Sequence, residues 1–372
     1  MIDCGLEGSN WTPRLLTARY ADEPLREETL NQLGPSAVVL DVRAPFIGSI
    51  GRKVGIPQGF ASALARAACL GTVAHVHGLW RYPSLIGAPL LRRLGVPYVM
   101  SLHGLLMPGP LRRHALPKLI ALTLLEKRNL EGAAAVLVSS RLEREGLDRI
   151  NVRLSDVVEI PPGLTRAATD FLRHARPPAR SSRKVILCVA RLHPIKRIED
   201  LLAAFAAIAS DNPTWDLQVV GPAEDSLYAR RLSHFVETAD LSSRVSFAGA
   251  LNGEALWSRY LAADLFVLPS SSENFGLTVL EALTAGIPVI TTTGTIWHEL
   301  DEIGCGWWVE ATAAGLRGSL TAAVALSDEA RRSMGERGAA FAAQKYSRTR
   351  TALLLSDVYD RVQALARSGV RG

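Results

Sequence analysis

The sequence has 372 residues, more than one ordinary hydrophobic core accommodates, so two domains are expected. Its composition, 48% hydrophobic and 21% charged, excludes a disordered or fibrous chain and indicates a globular protein. The formal net charge of +6 suggests an anionic partner, such as a phosphate-bearing ligand, an acidic membrane surface or nucleic acid, although a generally basic surface would give the same charge.

Apolar, β-branched segments alternate with helical patterns along the chain, which is typical of parallel α/β sheets. The strands predicted in the first half are residues 37–42, 73–78, 98–104, 134–140 and 157–163. Those in the second half are residues 184–191, 217–221, 244–249, 265–270 and 289–293. Amphipathic spacing predicts a helix over residues 199–210, and a final helix over residues 346–366.

A linker is predicted at residues 173–183, which are rich in Arg, Pro and Ser and lack apolar periodicity. We therefore expect an N-terminal Rossmann-like domain in residues 1–172 and a C-terminal one in residues 184–349. The last helix, about residues 350–372, is expected to pack back on the first domain. Two sheets facing across a cleft are the economical architecture, and open α/β sheets bind ligands at the carboxyl ends of their strands.

Charged residues follow two predicted strands of the second half at this edge. Arg191 ends the strand at 184–191 and Lys196 follows it, and Glu273 comes after the strand at 265–270. A helix then starts near Gly276, and the first backbone N–H groups of a helix lack intrahelical partners and attract anions. The cations and this helix start predict a diphosphate site without a metal, and a glycine lets a ligand approach the backbone closely.

Two carboxylates accompany this anion site. Glu273 would repel a diphosphate, so we expect it to face hydroxyl groups or a carbon that becomes positive. Glu281 lies in the apolar run 277–285, where a carboxylate is costly unless it is paired or at a site, and it is expected to accept hydrogen bonds from a ribose. Taken singly, such residues also have ordinary explanations, as solvated strand ends or as a charge at a helix start. Their convergence at one edge favours a nucleotide-sugar site.

From about Thr72 to its C-terminus the chain resembles the retaining GT-B glycosyltransferases with a Glu-x7-Glu motif, the glycosyl transferases group 1, which include many bacterial polysaccharide and lipopolysaccharide enzymes. In the second half the resemblance rests on VARLHPIKRIEDLLAAF, FVLPSSSENFGLTVLEALTAGIPVITT and GCGWWVE. In the first half it rests on VAHVHGLWRYPSLIG, PYVMSLHG and EKRNLEGAAAVLVSS. The resemblance implies the GT-B fold, two Rossmann-like domains facing across a cleft.

The resemblance also implies roles for matching positions. The candidate catalytic residues are His103, Arg191, Lys196 and Glu273, and the candidate donor-binding residues are Arg191, Lys196, Asn274, Phe275, Gly276, Leu277 and Glu281. Arg191 and Lys196 would bind the donor diphosphate, and the amides of residues 275–277 would cradle phosphate and sugar. Glu273 would contact the donor sugar and Glu281 its ribose, while His103 would face the reacting sugar. His75 and His77 would only support the site, and neither a metal nor a cofactor is expected.

The function implied is transfer of a hexose-type sugar from a nucleoside diphosphate sugar to a glycan or lipid-linked acceptor, with retention of configuration, in surface polysaccharide biosynthesis. One alternative is a non-catalytic nucleotide-sugar-binding protein. Another is a nucleotide-sugar epimerase of the same fold, against which the GCGWWVE and Glu-x7-Glu segments argue. No nucleic acid is expected among the partners.

The sequence departs from the family pattern at three places. Pro162 stands where an Asn is usual, and Ile296 replaces a common proline. Family members also begin with a strand and a glycine-rich loop that reaches the cleft. Residues 1–20 instead resemble the end of a first helix running into a second strand, so the N-terminal domain is predicted to lack its first strand and to have a weak or absent acceptor site.

A cytoplasmic location is predicted from the cysteines and from the lack of a recognisable signal peptide. Cys4, Cys69, Cys188 and Cys305 are widely separated and form no Cys-x-x-Cys pair, which indicates reduced thiols and no structural zinc. Residues 111–130 mix Arg and Lys with a leucine-rich stripe, as helices at the inner membrane face do. An ordinary core-facing helix with a basic outer face is the alternative for that segment.

Overall fold

The computed structural model describes residues 11–12, 15–20, 37–42, 59–68, 71–112, 115–175 and 182–369. The chain divides into two compact units, which we call the N-terminal unit, up to Pro161 and from Thr351 onward, and the C-terminal unit, Pro162–Arg350. Each unit is an α/β structure on parallel strands, which confirms the fold class predicted from the alternating pattern. None of the described helices is both long enough and apolar enough to cross a membrane.

The N-terminal unit contains a sheet of four parallel strands and a separate parallel pair. Its strands are β1 Leu15–Tyr20, β2 Ala37–Val42, β3 Ala74–His77, β4 Tyr98–Ser101, β5 Ala135–Val138 and β6 Val157–Glu159. Its helices are α1 Phe60–Ala67, α2 Ala88–Arg93, α3 Pro108–Arg112, α4 Ala115–Ala121, α5 Lys127–Glu131 and α6 Arg141–Asp148, with α15 Arg348–Arg367 returning from the end of the chain. Two π-helical turns, Pro83–Gly87 and Leu122–Glu126, interrupt helical segments.

The four-stranded sheet has the order β3-β4-β5-β6. Successive side chains of each strand point to opposite faces, and each face packs into its own hydrophobic core. Val99 and Leu137 face α15, where they pack with Val358. Met100, which follows Val99 on β4, points to the other side and belongs to the opposite core, which includes Leu130. The predicted absence of a first strand and its glycine-rich loop concerns residues 1–30, of which only residues 11–12 and 15–20 are described, so it stays a prediction.

The C-terminal unit is built on a single sheet of parallel strands. They are β7 Lys184–Val189, β8 Trp215–Val220, β9 Val245–Phe247, β10 Leu265–Leu268, β11 Val289–Thr292 and β12 Gly306–Val309. Its helices are α7 Arg166–His174, α8 Ile198–Ala209, α9 Ser226–Thr238, α10 Gly253–Ala262, α11 Leu277–Thr284, α12 Glu299–Ile303, α13 Ala313–Ala325 and α14 Asp328–Lys345, and a short 3₁₀ turn covers Pro194–Lys196.

The order of these strands, β12-β11-β10-β7-β8-β9, reverses its direction at the centre. From β7 the chain adds β8 and β9 on one side, then returns to place β10, β11 and β12 on the other. Leu187 of β7 and Phe266 of β10 pair directly, and both are fully buried because helices cover both faces of a parallel sheet. The carboxyl ends of β7 and β10 therefore form a topological switch point, the crevice in which such sheets bind ligands.

Two details differ from the sequence prediction. The strand β12 was not predicted, since its four residues, Gly306–Val309, include a glycine and two tryptophans and show no alternation. The helix α7 continues to His174, two residues into the segment predicted as a linker, because Leu172 in its last turn is buried in the core of the C-terminal unit. Residues 176–181 of that segment lie outside the described residues.

Candidate active site

An ion pair between Lys196 and Glu273 lies at the switch point of the C-terminal sheet. Lys196 ends the 3₁₀ turn that follows β7, and Glu273 belongs to the loop that follows β10. Both side chains are largely buried, with 12% and 14% of their surface exposed. The structure thus brings together two residues that the sequence placed 77 positions apart.

The loop that carries Glu273 is fixed on both sides. Ser270 donates a hydrogen bond from its hydroxyl to Glu273 Oε1 at 2.7 Å, and the Ser271 amide donates to the Ile195 carbonyl at 2.9 Å. The Glu273 amide donates to the Gly294 carbonyl at 2.9 Å. A side chain at Gly294 would collide with the Ser271 backbone, so only glycine lets the loops after β10 and β11 come this close.

Gly276 begins α11 in the left-handed conformation, with φ of 79°. A Cβ there would lie 3.1 Å from Trp297 Nε1, which donates to the Phe275 carbonyl at 2.7 Å. The Phe275 ring is buried and makes edge contacts with Trp297 and Tyr346. The glycine is thus required by its backbone conformation and by Trp297, in addition to any ligand approach, and the buried aromatic cluster fixes the position of the first amides of α11.

Glu281 lies on α11, where its Oε2 accepts a hydrogen bond from the Tyr260 hydroxyl at 2.6 Å. Burial raises the pKa of Glu281, and the bond from Tyr260 opposes that rise. Tyr260 itself is fully buried, and burial followed by the nearby Glu281 charge raises its pKa well above the ordinary value. The Tyr260 hydroxyl therefore holds Glu281 Oε2 in place.

Arg191 pairs with a different partner, Glu224 in the loop after β8. Its side chain is about half exposed, in contrast to the buried pair beside it. Arg191 and Lys196 thus each hold a carboxylate at the same edge of the sheet. A bound anion would compete with Glu224 for Arg191 and with Glu273 for Lys196.

His103 lies in the N-terminal unit, just beyond β4, with a positive φ of 53°. Its Nε2 shares a hydrogen bond of 2.9 Å with Nδ1 of His77 at the end of β3. Desolvation lowers the pKa of His103, against the effect of Glu143, and desolvation together with His103 lowers that of His77 to about 4. Both rings are therefore neutral near pH 7.

The loop around His103 is anchored from two directions. Glu143, almost fully buried on α6, accepts hydrogen bonds from the Gly104 amide and, at 2.6 Å, from the Ser139 amide. Neighbouring His75 bridges Ser101 Oγ at 2.8 Å and the hydroxyl of Tyr359 on α15 at 2.6 Å. The end of the chain thus contributes directly to the support of the histidine cluster.

The supporting residues Ser270, Gly294, Glu224 and Tyr260 were not singled out by the sequence. Glu224 had a usable signal, since it is a charged residue just after a strand and a glycine turn. Tyr260 had none, because an aromatic residue in an amphipathic helix is ordinarily core. Among the described residues no group of three or more His, Cys, Asp or Glu side chains could hold a metal ion.

Two family models match this chain. One is described as Glycosyl transferase 4-like domain and matches residues 4–163. The other is described as Glycosyl transferases group 1 and matches residues 172–341. The second match contains Arg191, Lys196, Glu273 and Glu281, and the first contains His103.

Similar curated proteins carry the name D-inositol 3-phosphate glycosyltransferase. One from Corynebacterium glutamicum is 29% identical over 270 residues, which are 69% of this chain and 63% of that protein. Another from Salinispora tropica is 29% identical over 336 residues, which are 82% of this chain and 68% of that protein. This chain therefore spans less than two thirds of the length of the first relative.

Solved structures share the fold. Anabaena HepE, in complex with UDP and glucose, matches with a TM-score of 0.72 and 18% identity over 96% of this chain and 94% of that one. Sucrose-phosphate synthase from Thermosynechococcus elongatus matches with a TM-score of 0.73 and 23% identity over 96% and 91%. This chain therefore has the two domains and the fold of the GT-B glycosyltransferase family.

Proposed function

We propose that the protein transfers a hexose-type sugar from a nucleoside diphosphate sugar to an acceptor hydroxyl. The observation that carries the proposal is the buried ion pair of Lys196 and Glu273 at the switch point of the C-terminal sheet. Charges of both signs lie together there, beside the start of α11. A nucleotide sugar presents matching chemistry, an anionic diphosphate next to a sugar rich in hydroxyl groups.

The structures of similar fold support a uridine nucleotide as the first donor to test. HepE was solved in complex with UDP and glucose and with UDP-glucose. In our proposal the diphosphate lies against Lys196 and Arg191, and the ribose against the oxygen of Glu281 that does not hold Tyr260. Arg191 exchanges Glu224 for phosphate, and this costs little because the pair is partly exposed.

The proposed mechanism follows from the charges that develop. Breaking the bond from the anomeric carbon to the diphosphate oxygen leaves negative charge on the nucleotide and positive character on the carbon. Lys196, Arg191 and the first amides of α11 stabilise the leaving group. Glu273 faces the sugar and stabilises the carbon. Since Glu273 is held by Lys196 and Ser270, we favour attack by the acceptor oxygen on the face of the departing phosphate, which accepts the acceptor's proton. This course retains configuration.

The role proposed for His103 rests on the family resemblance, namely contact with the reacting sugar. Its pairing with His77 is compatible with that role, because a neutral imidazole can donate or accept a hydrogen bond without bringing a charge to the sugar.

We propose a cytoplasmic location, in agreement with Cys188 and Cys305, which are buried free thiols.

Two acceptor classes compete. A glycan or lipid-linked glycan of surface polysaccharide biosynthesis is the acceptor implied by the resemblance. Inositol phosphate is the second candidate, since the curated relatives are named D-inositol 3-phosphate glycosyltransferase. A polar headgroup on a phosphate is common to inositol phosphate and to many lipid-linked acceptors.

Turnover of labelled donors tests the proposal. UDP-, GDP-, ADP- and dTDP-hexoses are supplied with either inositol 3-phosphate or a bacterial lipid extract, and transfer of label is measured. We expect one donor to be used by the wild type and by Lys184→Met, a control at the opposite end of β7, and to be used poorly by Lys196→Met. Donor binding without transfer to any acceptor would favour the non-catalytic alternative.

A further inference from the structure

An exposed apolar surface lies on residues 115–131 of the N-terminal unit, formed by α4, the π-helical turn Leu122–Glu126 and α5. We call it the leucine surface, and its members are Leu116, Leu119, Ile120, Leu124 and Leu125, each between 42% and 69% exposed. Of the nine large apolar side chains that are exposed in the described part of the chain, these five lie within ten residues. Such clustering marks an interaction surface rather than scattered exposure.

Two polar side chains of the same segment, Glu126 and Asn129, point inward. Glu126 is fully buried and accepts hydrogen bonds from the Trp80 amide and from the Ser84 hydroxyl, both at 2.7 Å. Asn129, also buried, donates to the Ser84 carbonyl at 2.8 Å and to Glu126 Oε2 at 3.1 Å. An ordinary surface helix has the opposite arrangement, with apolar residues inside and polar ones outside. The outer face of this segment therefore suits an apolar environment.

The charge of the segment is one-sided. Residues 111–131 include five Lys and Arg residues and two acids, of which Glu126 is buried and Glu131 is exposed at the end of the segment. Beside the leucine surface a largely apolar groove of about 610 Å³ has Lys118, Lys127 and Arg149 along its sides. A partner that is anionic at its surface and apolar just beneath would match both features.

We propose that the leucine surface docks on an anionic lipid bilayer. The leucines enter the boundary between headgroups and acyl chains, while the surrounding cations lie against lipid phosphates, as in interfacial helices. This inference does not depend on the proposed transferase activity, because it uses none of the residues of the C-terminal sheet. A second copy of the chain would bring Lys118, Lys127 and Arg149 against the same three cations of its partner, so the charge favours lipid.

Liposome co-sedimentation of the full chain tests the proposal. Vesicles of phosphatidylcholine alone are compared with vesicles that also contain phosphatidylglycerol. We expect binding only to the anionic vesicles, and it should weaken about fivefold for each cation removed in Lys127→Gln and Arg128→Gln. The double variant Leu119→Ser/Leu124→Ser should bind the anionic vesicles at least about tenfold more weakly than the wild type does. Leu227→Ser, an equally exposed leucine on α9, should bind like the wild type.

Two results would overturn the proposal. One is that folded wild-type protein binds both vesicle types equally, or binds neither of them. The other is a wild type that is dimeric in analytical ultracentrifugation without lipid but becomes monomeric in the Leu119→Ser/Leu124→Ser variant, since the surface would then bind a second copy. The substituted leucines are exposed, so we expect the variants to fold normally, and thermal unfolding checks this.

Discussion

Replacing Glu273 by Gln should destabilise the C-terminal unit while leaving nucleoside diphosphate binding intact or stronger. The substitution keeps the size of the side chain but removes the charge that faces Lys196. Breaking a buried ion pair costs about 3–5 kcal/mol, and the remaining exposure of 12% and 14% places this pair at the lower end, about 3 kcal/mol. In a unit of this size that loss lowers the melting temperature by about 6–12 °C.

Differential scanning fluorimetry with and without UDP measures both effects. A bound diphosphate supplies negative charge beside Lys196, so it should raise the melting temperature of Glu273→Gln more than that of the wild type. Turnover should nevertheless fall roughly 10²-fold, because the developing charge on the sugar loses its carboxylate. In Lys196→Met the unit should also be destabilised, but without rescue by the nucleotide.

The matched control is Lys184→Met at the amino end of β7. Lys184 pairs with Asp328, and since 28% and 45% of these side chains are exposed, its loss should cost below about 1 kcal/mol. The double variant Lys196→Met/Glu273→Gln should lose less stability than the sum of its single variants. A Glu273→Gln protein as stable as the wild type, or one that binds UDP more weakly, would refute the reasoning.

Three further predictions concern the cations, the absence of a metal requirement and the histidines. Arg191→Ala should lower turnover roughly 10²-fold in steady-state kinetics, the effect of losing one preorganised charge contact, and unchanged turnover would remove Arg191 from the site. Turnover should persist in EDTA, because cations and helix amides are proposed to hold the diphosphate; activity lost in EDTA and restored by Mg²⁺ would contradict this. Burial, followed by His77 and His103, lowers the pKa of His75 well below its ordinary value of 6.5, so the unfolded chain binds more protons there and stability should fall as the pH drops below about 6.5. Urea midpoints at pH 7 and pH 5 should therefore differ less in His75→Gln than in the wild type, and an equal difference would exclude His75 as a source.

Much of the fold could be predicted from local pattern. Strands such as β5 and β10 are short runs of buried apolar residues, and their parallel pairing follows from the helices between them. The strand β12 was missed because three of its four residues are glycine or tryptophan and show no strand pattern. Its place is decided by pairing with β11 rather than by its own sequence. Local propensity does not contain that information.

The sequence predicted which residues of the candidate site follow strands, but not which of these residues contact one another. That Lys196 and Glu273 follow strands was visible in the sequence, whereas their ion pair depends on β7 and β10 being neighbours in the sheet. Glu281 was marked by its carboxylate in an apolar run, but its partner Tyr260 lies on a separate helix. Long-range partners of this kind follow from topology, which no single segment encodes.

Isothermal titration calorimetry of nucleoside diphosphates tests the central claim, that the edge of the sheet at β7 and β10 binds a nucleotide through Lys196. UDP, GDP and ADP are titrated into the wild type, Lys196→Met and Lys184→Met. We expect at least one of them to bind the wild type and Lys184→Met equally, and Lys196→Met at least about tenfold more weakly, as for loss of a charge-assisted contact. Equal affinity for all three proteins, or no binding to the wild type, would contradict the account.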